Sequence, residues 1–292
     1  MSVISTVQAM PNRIAYACEA LSYYGSDGCD QDKLEALLSP LDILDDDSDG
    51  KVTPARNVLS EVIALKFAGK EGQVIKLDEA LLLMKGADWI EGLQPLFLKR
   101  LTDEGQARAF RQELVPFSLA WLLVQNPFED LQWSDGHLNK MRGQFESNED
   151  PVIQGLLSTA RYQNLVAWAR YLGLAERVNK YVIPDPSLMI LKNLSQIFNE
   201  EKELRVTSFI DKIVDFCPVI DGGGVRTQLE QRLNAVNRPI PGHLSQSLSL
   251  AFKRLEVGGY ISLHHSADAD SRILHVGGTN QNISVIKVGS SL

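Results

Sequence analysis

One step occurs three times in this chain and limits its possible folds more than any other feature. A stretch with helical periodicity reaches an apolar–glycine step and runs straight into a short strand. The copies read EVIALKFAGKEGQVIKL (Glu61–Leu77), VAWARYLGLAERVNKYVIP (Val166–Pro184) and AFKRLEVGGYISLHH (Ala251–His265). Glycine tolerates the left-handed backbone that ends a helix sharply, so the chain can turn back at once as a strand. The copies lie roughly 90–100 residues apart, too far for a solenoid, and fit tandem domains of one superfamily. A helix followed by a short hairpin is the end of a winged helix-turn-helix. The expected fold is therefore mainly α with small β-wings: two to three winged helix-turn-helix units around a helical middle region.

The elements around these steps follow from caps and periodicity. Helices are predicted over Asn12–Tyr24, over Asp30–Leu38 with Asp30 as N-cap, and from Thr53 to about Ala68 with Pro54 in the first turn. The middle, from Trp89 to about Phe198, reads as helices broken at Pro116, Pro127 and Pro151, with a helix over Arg161–Tyr171 and a strand at Tyr181–Ile183. Helices over Arg205–Phe216, Val225–Asn234 and Leu244–Glu256 follow, the last with Leu244, Leu248, Ala251 and Leu255 on one apolar stripe. Tyr260–Val276 is read as the last hairpin, with SADAD at its tip. The 292 residues suit a first domain over 1–85, a middle domain over 86–200 and a last domain over 201–292. Tyr162, Trp168, Tyr171 and Trp121 fit helical core spacing.

Charge separates the thirds. Residues 1–85 carry 8 basic and 14 acidic side chains, a net of −6. Residues 203–287 carry 9 and 8, a net of +1, and hold four of the five histidines. A domain at −6 is repelled by a duplex at long range. The first domain is therefore expected to bind other protein subunits or a second copy of the chain. The last domain is the expected site for double-stranded DNA. Ser245, Gln246, Ser249, Lys253 and Arg254 are placed on the polar side of its final helix, suited to base edges and phosphates. Arg238 and His243 lie in the preceding loop, His264 and Arg272 in the wing. Arg226 and Thr227 in DGGGVRT start a helix and are assigned a minor phosphate contact. The acidic wing tip, Asp268 and Asp270, works against phosphate contact there.

Other motifs carry less. In DDDSDGKVTPAR, Asp45, Asp47, Asp49 and Gly50 match calcium-loop positions, but Arg56 stands where the bidentate glutamate belongs, so a solvated acidic loop is expected. His264 and His265 alternate across a strand and do not converge on a metal. Cys18, Cys29 and Cys217 are scattered and read as reduced thiols. No Ser/His/Asp or Cys/His arrangement stands out, and no cofactor, metal or enzymatic role is expected. No apolar run approaches the ~20 residues of a membrane span. With no signal peptide in MSVISTVQAMPNRIAYA, a cytoplasmic location follows as the expectation.

The start MPNRIAYACEAL, the mid-chain YVIPDPS and the terminal helix-and-wing resemble the DpdG family over the full length. That family belongs to bacterial gene clusters that insert 7-deazaguanine bases into DNA and restrict DNA lacking them. The resemblance implies an accessory DNA-binding or bridging subunit of a multiprotein defence complex, not the base-modifying enzyme. The alternative is a protein–protein scaffold or transcriptional regulator whose winged helices contact only partners.

Overall fold

The computed structural model describes residues 2–40, 53–84, 88–266 and 270–291. The acidic calcium-like stretch before Thr53 and Asp268 of the wing tip lie outside these residues. About 51% of the described residues are helical and 16% are strand, in small antiparallel sheets, which fits a mainly α chain with small β elements. The N-terminal part runs α1 (Pro11–Ser22), β1 (Cys29–Asp30), α2 (Gln31–Leu38), α3 (Pro54–Ala64), β2 (Ala68–Glu71) and β3 (Val74–Leu77). Short helices α4 (Glu79–Leu82), α5 (Trp89–Gly92), α6 (Gln94–Thr102) and α7 (Glu104–Ala109) lead to α8 (Val115–Val124), α9 (His137–Gln144), α10 (Pro151–Gly155) and α11 (Thr159–Tyr171). The hairpin β4 (Ala175–Val178) and β5 (Tyr181–Pro184) follows, then α12 (Ser187–Phe198), β6 (Glu203–Arg205), α13 (Val206–Phe216), α14 (Gly224–Arg232) and α15 (Gln246–Val257). Strands β7 (Ile261–His264), β8 (Arg272–Val276), β9 (Thr279–Ile283) and β10 (Val285–Val288) close the chain.

Among the described residues one arrangement recurs three times: helix, short strand, further helices, hairpin. In the first and third, the short strand pairs with the second hairpin strand. The order is β1-β3-β2 in the first unit and β6-β10-β7 in the third. In the middle unit a single bridge, Gln132 to Tyr181 of β5, takes the short strand's place beside β4–β5.

The joint between last helix and hairpin is the same each time. The N–H two residues past the helix cap donates five residues back: Phe67 to Val62 O at 3.0 Å, Leu174 to Ala169 O at 2.8 Å, Tyr260 to Leu255 O at 3.0 Å. This is the Schellman closure, and it needs a left-handed residue just before the donor. Gly173 and Gly259 supply it, both at φ 75°, but in the first unit Lys66 does so at φ 55°. That turn stops α3 at Ala64, short of the Ala68 that periodicity suggests. The hairpins then register alike, with Ala68, Ala175 and Ile261 facing Leu77, Pro184 and Val288.

The last hairpin differs from the expected one. Ile261–His264 pairs not with residues 272–276 but with β10, while β8 pairs with β9. Gly277 and Gly278, at φ 57° and 82°, make a tight two-residue turn that closes β8–β9 locally. The inserted hairpin packs along α15, with Leu244 N donating to Ile273 O at 2.9 Å.

Packing ties the units together. Helix α8, VPFSLAWLLV, is apolar all round and buried, with α11, α14 and α15 packed on it. The first residues thread under α11: Trp168 Nε1 donates to Ala9 O at 3.0 Å and Asn164 Nδ2 to Thr6 O at 3.2 Å. Glu61, buried on α3, accepts from Thr6 Oγ1 at 2.9 Å and Gln112 Nε2 at 3.1 Å. Phe67, Phe97 and Trp168 meet edge-on or tilted in series with centroids 4.8 and 4.9 Å apart, and Phe198, Phe209 and Phe252 do so in the third unit at 5.5 and 5.6 Å. Trp121, Tyr162 and Trp168 are fully buried, as their spacing predicts.

Candidate nucleic-acid interface

Helix α15 starts at Ser245, whose Oγ accepts from Leu248 N at 3.3 Å as the N-cap. Beyond the cap, the helix does not present the free polar face expected of it. Ser249 is fully buried, and its Oγ accepts from His275 N of β8 at 3.1 Å. Ser247 is also buried and donates to Leu123 O of α8 at 2.6 Å. The helix is covered on three sides, by its own sheet, by the β8–β9 hairpin and by the middle unit. Helical periodicity identifies the first contact and is blind to the other two. Gln246 stays half-buried at the first turn.

The expected cations are engaged. Lys253 Nζ lies 2.6 Å from Glu256 Oε2. Arg254 binds Glu176 of β4 at 3.0 Å and Asp185 after β5, so it clamps the third unit to the middle one. Burial works against the charge of Arg254, but these two carboxylates outweigh it and hold its pKa above the ordinary value. Arg238 donates to Leu233 O at 2.9 Å and pairs with Glu146 at 2.7 Å. Arg226 is buried between Glu230 at 2.6 Å and Asp221 at 3.4 Å, and Asp221 in turn accepts from Ser245 N at 2.6 Å. Thr227 donates back to Gly223 O at 3.0 Å. Arg226 and Ser249 are therefore interior packing groups, because a charged or hydroxyl side chain without water needs partners inside.

The remaining residues scatter. His243 bridges to Ile273, and Arg272, next to it, donates to Ser271 O at 3.1 Å. Ser245, Gln246, His243 and Arg272 thus gather near the first turn of α15. His264 is exposed on β7, where its ring shares a hydrogen bond with Ser262 Oγ at 3.0 Å. In the first unit Arg56 pairs with Glu35 at 3.0 Å and Asn57 donates to Gln8 at 3.2 Å, while Ser60 is exposed.

Sequence reasoning missed a basic hairpin. The turn of β4–β5 reads RVNK, and every residue from Glu176 to Lys180 is exposed. The Arg177 guanidinium carbon sits 4.0 Å from the centroid of the Trp133 ring, and its Nε donates to Asn179 O at 2.9 Å. The signal was present as two cations flanking a turn, but the aromatic partner lies more than forty residues upstream.

Among the described residues no three His, Cys, Asp or Glu side chains gather as a metal site. The cysteines are free and buried, and burial pushes the Cys18 and Cys217 thiols up to about 12. Among the described residues no helix is long and apolar enough to cross a membrane.

Fold and surface define a mainly α protein of three helix-and-hairpin units fastened by buried contacts. The chain belongs to the DpdG-like family, whose model matches residues 1–269. Among curated proteins, and among solved structures, nothing matches it.

Proposed function

We propose that the three units are winged-helix modules and that the protein is a non-enzymatic bridging subunit of a prokaryotic DNA-modification or anti-phage defence complex. The observation that carries this reading is one helix-to-hairpin joint in all three units, with one strand order that is complete in the first and third and reduced to a single bridge in the middle. Helix, strand, helices and hairpin, with the first strand beside the third, is the arrangement of a winged helix-turn-helix. Membership of the DpdG-like family supports the link to a DNA-modification system. On this reading α12 belongs with the third unit, because it packs on α13 and α15.

The subunit engages double-stranded DNA from the middle and third units, which carry the less acidic surface, and other subunits through the acidic first unit. The pure scaffold is the second reading. Its support is the coverage of α11 and α15: Trp168 and Asn164 of α11 bond the N-terminal segment, and Ser247 and Ser249 of α15 bond α8 and β8.

Fluorescence anisotropy with a labelled duplex of roughly 30 bp separates the two readings. DNA engagement predicts binding at about 50 mM KCl that weakens at least about tenfold by about 200 mM, as counterion release requires. No binding at the lower salt removes the DNA half and leaves the scaffold.

A further inference from the structure

We propose that the β4–β5 hairpin is a contact for the phosphate backbone of double-stranded DNA, with Arg177 and Lys180 as its two cations. The inference rests on the reading that the protein engages DNA, and it moves the contact from the final helix to the middle hairpin. Arg177 is held before any ligand arrives: the Trp133 ring lies under its guanidinium at 4.0 Å and Asn179 O fixes its Nε at 2.9 Å. A planar guanidinium anchored in this way keeps its remaining N–H groups free and loses little entropy on binding phosphate. Lys180 follows at the other side of the turn, with its Nζ 5.2 Å from the Tyr181 ring centroid.

Charge balance separates this hairpin from the other two. In the first unit Lys76 pairs with Glu71 at 2.8 Å, and in the third Lys287 pairs with Glu203 at 2.8 Å. Among the described residues Arg177 and Lys180 have no carboxylate within ion-pair distance. Of the acids on the adjoining segments, Glu176 binds Arg254 at 3.0 Å and Glu129 binds Lys140 at 2.9 Å, while Asp130 and Asp135 have no cation within ion-pair distance among the described residues. A held guanidinium and a second cation, neither with a carboxylate in ion-pair distance, on an exposed two-stranded tip suit a duplex backbone, where phosphates lie along both edges of a groove. An apolar rim around the tip would favour a protein partner instead. Val178, 49% exposed, is the one exposed large apolar side chain from Glu176 to Lys180, and the Trp133 and Tyr181 rings beside the cations are half-buried.

The test is charge reversal, R177E with K180E, read by anisotropy on the roughly 30-bp duplex, beside K70E with K76E on the first hairpin as a control of equal charge change. The expected result is an affinity loss of about tenfold or more for the middle-hairpin variant and a log–log salt slope shallower by about 2. The control stays near wild type. Equal losses in both variants, or wild-type affinity in the first, overturn the proposal. A wild-type protein that does not bind the duplex at all overturns the DNA reading itself, a separate outcome. Should the reversal unfold the chain, judged by its thermal midpoint, R177Q with K180Q carries the same test.

Discussion

His137 and Tyr162 lie face to face in the middle unit, centroids 4.2 Å apart and rings 8° from parallel. Nε2 of His137 donates to Leu156 O at 3.0 Å, so the proton sits there and buried Nδ1 is left bare. Burial is the largest influence on this imidazole and holds its pKa below the ordinary value, against smaller pulls from the Leu156 carbonyl and Asp135. The folded state therefore keeps His137 neutral, while the unfolded chain takes up a proton below about pH 6.5. Its share of stability is complete above that pH and is lost as pH falls through the lower, folded-state pKa. The thermal midpoint of the wild type should drop more steeply between about pH 7 and 5 than that of H137Q; parallel curves would show the imidazole does not titrate in this way. Residue by residue, sequence served best where side chains are purely apolar or aromatic, as at Trp121, Tyr162 and Trp168. It served least at Arg226, Ser249 and Arg254, whose roles are set by Asp221, His275 and Asp185, partners that no periodicity brings into view.

The elements were largely legible because their caps are local. Asp30 accepts from Asp32 N and Lys33 N, Thr53 accepts from Arg56 N, and Pro54 opens α3, each as its position implies. The short strands were not: β1, Gln132 and β6 are two or three residues or fewer and take their state from β3, β5 and β10. Strands β9 and β10 lay past the assumed wing, and SVIKV carried an alternation left unread. The joint after each last helix makes a sharp comparison. Lys66 and Gly173 hold equivalent left-handed positions, but a side chain at 173 would place its Cβ 2.8 Å from Met189 N. K66G should therefore stabilise by about 0.5–1 kcal/mol, relieving a left-handed L-residue. G173A should destabilise by about 2 kcal/mol or more, since backbone cannot yield as a flexible side chain does. Urea unfolding measures both, and equal effects at the two sites would contradict the equivalence of the joints.

At the scale of the whole molecule, the units are joined by internal contacts rather than strung on linkers. The N-terminal segment bonds α11, Glu61 collects donors from two distant segments, α8 lies in the interior, and Arg254 reaches across to Glu176 and Asp185. On the proposed winged-helix reading, these contacts use the surfaces of α11 and α15 that a free unit would offer to a groove. Net charge gives the proposed DNA contact a direction: a duplex repels the acidic first unit, and Arg177 and Lys180 on the middle hairpin have no carboxylate within ion-pair distance among the described residues. Hydrogen–deuterium exchange with and without saturating duplex tests this most directly. Slowed exchange should appear across β4–β5 and the 131–133 segment that pairs with it, with α15 unchanged. Protection centred on residues 246–254, or none anywhere, would contradict the account.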